Sequence, residues 1–208
     1  KMPNNDKSSG IAVMLGAAQI KERFAKGSDE AKALLKDLFG EKLFTRPTLD
    51  DHTTIKTYED ACEALGIEPV DFVNLAVPDH IKALMKLETI SRALWGKSWE
   101  PKPQAEWDGN TYFWFPWFCL YTKEKVAQIK SNPEDYDCAA LFGGSAISGA
   151  GAGFGYLHTA YRPTNTSACI GFRLCQESKE KARYFANTFA ELWTEYLAFN
   201  FTVGERIL

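Results

Sequence analysis

A chain of 208 residues has room for one compact domain, or a small domain beside a larger one, and is long enough to bury a core. Its hydrophobic share of 45% and charged share of 25% are those of an ordinary globular protein, which excludes disordered, collagen-like and coiled-coil classes. The formal net charge of −3 offers no attraction to a nucleic-acid backbone, and no apolar run is long enough to cross a bilayer, so no nucleic-acid partner and no membrane span are expected.

The opening "KMPNNDKSSG" is polar and has no signal peptide, and Lys1 ahead of Met2 reads as a remnant that leaves the native start unread. Ser28 is placed to cap a helix "DEAKALLKDLF" that Gly40 ends, with Leu34, Leu35, Leu38 and Phe39 on one face. Thr57 and Asp60 form a capping-box pattern opening "YEDACEALG", closed by Gly66. Pro78 and Asp79 start a longer helix, "HIKALMKLETISRALW", in which Ile81, Leu84, Met85, Ile90, Leu94 and Trp95 recur at helical spacing until Gly96 stops it. Near Trp99 the character changes. "TYFWFPWFCLYT", Thr111 to Thr122, reads as a strand buried on both faces, although Pro116 in its middle requires an edge, a bulge or two short strands. "CAALF" (Cys138 to Phe142) and "CIGFRLC" (Cys169 to Cys175) read as two further strands, and Ser178 caps a final amphipathic helix over 178–200. Helices, then irregular strands with long loops, then a helix make an α+β protein.

Between those two strands lies "GGSAISGAGAGFGYLHTAYRPTNTSACIGFR", Gly143 to Arg173, with no charge before Arg162. A dinucleotide or phosphate loop is not indicated: Gly149, Gly151, Gly153 and Gly155 alternate strictly, no Gly-Lys-Ser/Thr follows and no helical pattern begins. Neither Ser145 nor Ser148 has the G-x-S-x-G spacing of a nucleophile elbow, and His158 has no carboxylate within the stretch to orient it. His158 and Cys169 have no partners at metal-ligand spacing, and the stretch contains no Asp or Glu for calcium. No catalytic residue, metal or cofactor is therefore assigned. The five cysteines, Cys62, Cys119, Cys138, Cys169 and Cys175, include no C-x-x-C pair and fit a reduced or virion setting better than a disulfide framework.

Three landmarks carry a resemblance. "GGS" at Gly143 to Ser145, "YRPTN" at Tyr161 to Asn165 and "IGFRL" at Ile170 to Leu174 are similar, in order and spacing, to the C-terminal segment of formylglycine-generating-type C-type-lectin-like domains. Within that superfamily they most resemble the variable proteins of diversity-generating retroelements, whose segment is hypermutated at adenines, chiefly in asparagine codons. Such mutation never yields Lys, Glu, Gln, Met or Trp, and none of these occurs from Ala139 through Phe172. The resemblance implies a variable, ligand-binding surface of Ser145, Ala146, Ile147, Ser148, Gly151, Phe154, His158, Ala160, Tyr161, Arg162, Asn165, Ser167 and Cys169. Gly143, Gly144, Tyr156, Leu157, Ile170, Gly171, Phe172 and Arg173 are implied as scaffold.

The enzymes of that superfamily use paired cysteines or a histidine-carboxylate metal site around this region, and Gly144 to Arg162 contains no cysteine, so the chain is not expected to be an enzyme. "IKTYEDACEALGI", "FPWF" and "GFRLCQESKEKARYFANTFAELW" also resemble small uncharacterised proteins of gut Bacteroidetes and their phages. The expected organisation is a helical N-terminal region over 1–97 and a C-type-lectin-like domain over 98–208, with variable segment 143–173 and terminal helix 178–200. The implied function is recognition of a protein or glycan receptor on a target cell, by a virion or cell-surface protein that forms a homo-oligomer through its helices. The alternatives are an enzyme of the same fold with unassigned chemistry and a structural interaction protein.

Overall fold

The computed structural model describes residues 16–97, 101–136, 140–146, 151–163, 172–197 and 201–208. The chain forms two compact units, Lys1–Thr45 and Arg46–Leu208. In the first, α1 (Ala17–Lys26) and α2 (Asp29–Phe39) form a hairpin followed by a 3-10 turn, Glu41–Phe44. The expected cap is present: Ser28 Oγ accepts a hydrogen bond from Ala31 N at 3.3 Å, and Gly40 ends α2 at φ 80°. Phe24 stacks on Phe44 with ring centroids 4.2 Å apart. Among the described side chains of this unit only Ile20 is buried.

The second unit begins with the capping box predicted for α3 (Tyr58–Leu65). Thr57 Oγ1 accepts from Asp60 N at 3.0 Å, and Asp60 Oδ2 accepts from Thr57 N at 3.1 Å. Gly66 then closes the helix in the left-handed region, φ 66°. Helix α4 (Asp79–Trp95) ends at Gly96, where φ is 90° and a Cβ would meet Leu49 O at 2.8 Å, so no other residue fits without movement. Ile55, Tyr58, Leu87, Ile90 and Leu94 from this part pack with Phe185 and Trp193 from two later helices, α6 (Lys179–Thr188) and α7 (Ala190–Leu197), and with Phe189 between them. The single terminal helix expected over 178–200 is thus two helices. The backbone leaves the helical region at Phe189 (φ −113°, ψ 30°), whose buried ring lies against Tyr184 and Phe185. Residues 198–200 lie outside the described residues.

Four strands make one antiparallel sheet: β1 (Tyr112–Thr122), β2 (Leu141–Ala146), β3 (Gly151–Pro163) and β4 (Phe201–Arg206), in the order β1-β3-β2-β4. Helix α5 (Lys123–Ser131) follows β1 directly, with Thr122 Oγ1 accepting from Lys125 N as its N-cap. The α+β class is therefore observed, and no helix among the described residues is long and apolar enough to cross a membrane. Pro116 sits on an edge strand, as its missing N–H requires, and the register shifts one residue further on. Trp117 pairs with His158 and Phe118 with Tyr156, leaving Leu157 of β3 as the extra residue of a bulge.

Three strand expectations are corrected. The aromatic run is not buried on both faces: Phe113 and Phe115 are buried, but Trp117 and Leu120 are about half exposed, because an edge strand has fewer neighbours to cover it. The strand placed at Cys138 to Phe142 begins at Leu141 and runs on through the glycines to Ala146, since Gly143 and Gly144 pair with β3 and Gly144 also with β4. The strand placed at Cys169 to Cys175 is, over its described part, a 3-10 turn at Phe172–Leu174. The pairing comes just after it, where Gln176 exchanges two 2.9 Å backbone hydrogen bonds with Trp114 on the outer edge of β1. Replacing Thr57 by Ala removes one half of the α3 capping box and is predicted to cost about 1 kcal/mol. Thermal denaturation reads this as a fall in Tm of about 2–4 °C.

Candidate functional site

The glycine-rich stretch supplies β3 and most of β2, the two inner strands of the sheet. Its alternating glycines have a local cause. A Cβ on Gly153 would lie 2.5 Å from Val126 Cγ2 of α5, and one on Gly155 would lie 2.5 Å from Ala140 O and 3.1 Å from Leu141 Cα. Glycine lets α5 and the start of β2 approach the backbone of β3, and Tyr121, Ile129 and Leu141 close a small core there.

Strand periodicity then sorts the side chains. Leu120 pairs with Phe154 and Trp114 with Tyr161, and Leu120 and Trp114 lie six residues apart on β1, so Phe154 and Tyr161 share one face. Seven residues separate these two along β3, and the Leu157 bulge supplies the extra residue that puts them on the same side. His158, Ala160 and Arg162, which pair with Trp117, Phe115 and Phe113, lie on the opposite face.

Position along the strand decides exposure. Phe154, expected at the variable surface, is buried: it stacks on Phe118 at 5.7 Å, and Phe118 in turn stacks on Trp193 of α7 at 5.5 Å. Tyr156 is fully buried as a scaffold residue, its hydroxyl 2.6 Å from Thr159 Oγ1. Leu157, also expected as scaffold, is instead exposed at the bulge. Tyr161 is 49% exposed and joins an aromatic group with Tyr112 (4.7 Å), Trp114 (5.0 Å) and, through Tyr112, Trp107 (5.2 Å). Arg162 is exposed and its Nη1 donates to Tyr161 O at 2.7 Å. His158 is exposed on the other face, its ring parallel to Trp117 at 6.2 Å. Ala160 is half-buried.

The remaining predicted positions do not join this group. Ser145, Ala146 and Gly151 lie in the paired backbones of β2 and β3 at the opposite end of β3 from Tyr161. Ten residues of strand separate Gly151 from Tyr161, roughly 30 Å. Ile147, Ser148, Asn165, Ser167 and Cys169 lie outside the described residues. The sequence reading missed Trp107, Tyr112, Trp114 and Trp117. Pro116 was the available signal, because an edge strand leaves alternate side chains of its aromatic run uncovered.

The segment before β1 is tied down beside these rings. Asp108 Oδ1 accepts from Asn110 N and Thr111 N, both at 2.8 Å, and Oδ2 from Thr111 Oγ1, while Trp107 Nε1 donates to Thr111 O at 2.7 Å. These donors favour the ionised carboxyl and hold Asp108 down to about 2, with the Thr111 hydroxyl the largest influence. Because the folded value is depressed, the stabilisation is present above the ordinary carboxyl range and is lost as pH falls through about 2. Elsewhere, burial pushes the Cys175 thiol up to about 12, which leaves it a poor nucleophile at neutral pH. Among the described residues no three His, Cys, Asp or Glu side chains come together as a metal site.

No protein-family model matches the chain, and neither a curated protein nor a solved structure matches it. The strand geometry makes its own prediction. Gly153→Ala and Gly155→Ala each overpack the contact with α5 or β2 and are expected to lose about 1–3 kcal/mol in urea unfolding. His158→Ala, at an exposed position on the same strand, is expected to stay within about 0.5 kcal/mol of the parent.

Proposed function

We propose that the chain is a ligand-binding protein that presents the Tyr161 end of its sheet to a protein or glycan receptor on a target cell. One observation carries this reading: Trp107, Tyr112, Trp114 and Tyr161 form a partly exposed aromatic group where β1 begins and β3 ends, with the exposed Arg162 next along β3 on the other face. Tyr, Trp and Arg are enriched among the side chains that dominate binding energy at interfaces: Tyr and Trp offer large contact area with a polar handle and little conformational freedom to lose, and Arg offers a planar fork of hydrogen-bond donors. Here they stand on paired strands, so the backbone that carries them is fixed before a ligand arrives.

The finer reading is a C-type-lectin-like variable protein of the diversity-generating-retroelement type, displayed on a virion or cell surface and acting by recognition rather than catalysis. Its support is the landmark pattern of Gly143 to Leu174 together with the outward placement of His158, Tyr161 and Arg162, whose replacement leaves the aromatic core between β3 and α7 untouched. Copies held together gain avidity from weak single contacts.

The double variant Tyr161→Ala with Arg162→Ala tests the binding surface. Labelled protein is applied to a panel of intact gut bacterial cells and scored by flow cytometry, with Tm measured alongside. Loss of two interfacial anchors of about 2 kcal/mol each, about 4 kcal/mol together, corresponds to an affinity fall on the order of 1,000-fold, with Tm moving by less than about 2 °C. Unchanged binding, or a large fall in Tm, contradicts the proposal. The retroelement assignment has a separate readout in the flanking DNA: a reverse-transcriptase gene and a near-copy of codons 143–173 that differs only where the copy has adenine.

A further inference from the structure

Among its described residues, the Lys1–Thr45 unit has surface but almost no core of its own. Helix α2 buries no residue, and Leu34, Leu38 and Phe39 are 58%, 63% and 44% exposed. Units this small rarely bury enough apolar area to offset the entropy of ordering the chain. A helix pair with an uncovered leucine stripe therefore needs another surface against it.

The missing surface is present on the unit itself. Between α1 and α2 runs a groove of about 650 Å³. Ala31, Leu34 and Leu35 line it from α2, and Gln19, Glu22, Arg23 and Lys26 line it from α1. One wall is apolar and the other carries an excess of positive charge, with Lys26 bonded to Glu22 at 2.6 Å. An occupant that fits is an amphipathic helix with an apolar stripe and an acidic flank. Helix α2 is such a helix. At about 100° per residue, Glu30 and Asp37 fall on one side of the Leu34/Leu38 stripe, and Ala31 and Leu35 on the other, toward α1. Glu30 and Asp37 are both exposed.

We infer that the Lys1–Thr45 unit is a dimerisation module, in which two copies of the chain pack α2 on α2, each setting Leu34 and Leu38 over the other's groove. Charge fixes the symmetry. With the two-fold axis perpendicular to the helices, the Glu30/Asp37 flank meets its own copy and is repelled. With the axis parallel to the helices, that flank faces the Arg23/Lys26 wall of the second copy, and the contact occurs twice. The face is small: two helices about 16 Å long and 10 Å wide present on the order of 300 Å² in projection, against about 800 Å² per partner in tight complexes. Association in the micromolar range follows. Pairing through this unit is independent of what the sheet binds.

Sedimentation equilibrium of the full chain between about 1 and about 100 μM tests it. The wild-type mass is expected to rise toward twice the 23.3 kDa of one chain. Leu34→Glu with Leu38→Glu places charge at exposed positions, so helicity by circular dichroism is expected to persist while the mass stays monomeric. Glu30→Lys with Asp37→Lys is expected to weaken association at least about tenfold, and adding Arg23→Glu with Lys26→Glu to restore it. A wild-type monomer across the range assigns the groove to a different occupant and overturns the inference. Dimers of the double-glutamate variant, or charge reversal without rescue, overturn it equally.

Discussion

Every residue of β1 has a partner on β3, and the character of the rest of the sheet follows from that ladder. It places Pro116 where no inner hydrogen bond is demanded of it, and it absorbs one extra residue at Leu157. That extra residue changes which side chains can be buried. Without the bulge, Phe154 and Tyr161 would fall on opposite faces, because seven is an odd number of strand steps. With it, both share a face with Trp114, Phe118 and Leu120, and aromatic rings line that face from the core under α7 to the open end at Tyr161.

Cover is unequal along the same strand. At the start of β3 the glycines admit α5 and β2 closely enough that Gly153 and Gly155 have no room for a side chain. Further on, Phe118 stacks on Phe154 and on Trp193, and the Tyr156 hydroxyl meets Thr159 Oγ1 in the interior. At the far end nothing among the described residues covers Tyr161 beyond its aromatic neighbours and the braced Trp107–Thr111 turn. A strand rigid at one end and open at the other can vary its outward side chains while the packing that holds it stays the same, which is the physical requirement for a recognition surface.

The sequence was legible where structure is local. Ser28, the Thr57–Asp60 box, Gly66 and Gly96 each act within a few residues, and each helix boundary they imply is observed. Helix α5 is mostly polar and offers few apolar positions to mark a face, whereas α1 carries Ile20 and Phe24 at helical spacing, a signal open to the same periodicity reading. Strand β4, "FTVGER", is short, charged and carries a glycine, so it exists through its pairing with β2 rather than through any pattern of its own. The glycine alternation is visible in the sequence, but what gives it meaning is Val126 and Leu141, side chains contributed by other segments. The distinction between Phe154 and Tyr161 is likewise not local: both are aromatic and both belong to one segment, and it is Phe118, together with the pairing of β2 beside Phe154, that separates them.

A substitution scan of every position from Gly151 to Pro163, read out as protease resistance of the displayed full chain, addresses the central claim most directly. A rigid strand with replaceable outward side chains predicts broad tolerance at Leu157, His158, Tyr161 and Arg162, and intolerance at Gly153, Phe154, Gly155, Tyr156 and Thr159. Uniform tolerance across the stretch, as in a solvated glycine loop, or uniform intolerance, as in a strand buried along its whole length, would contradict it.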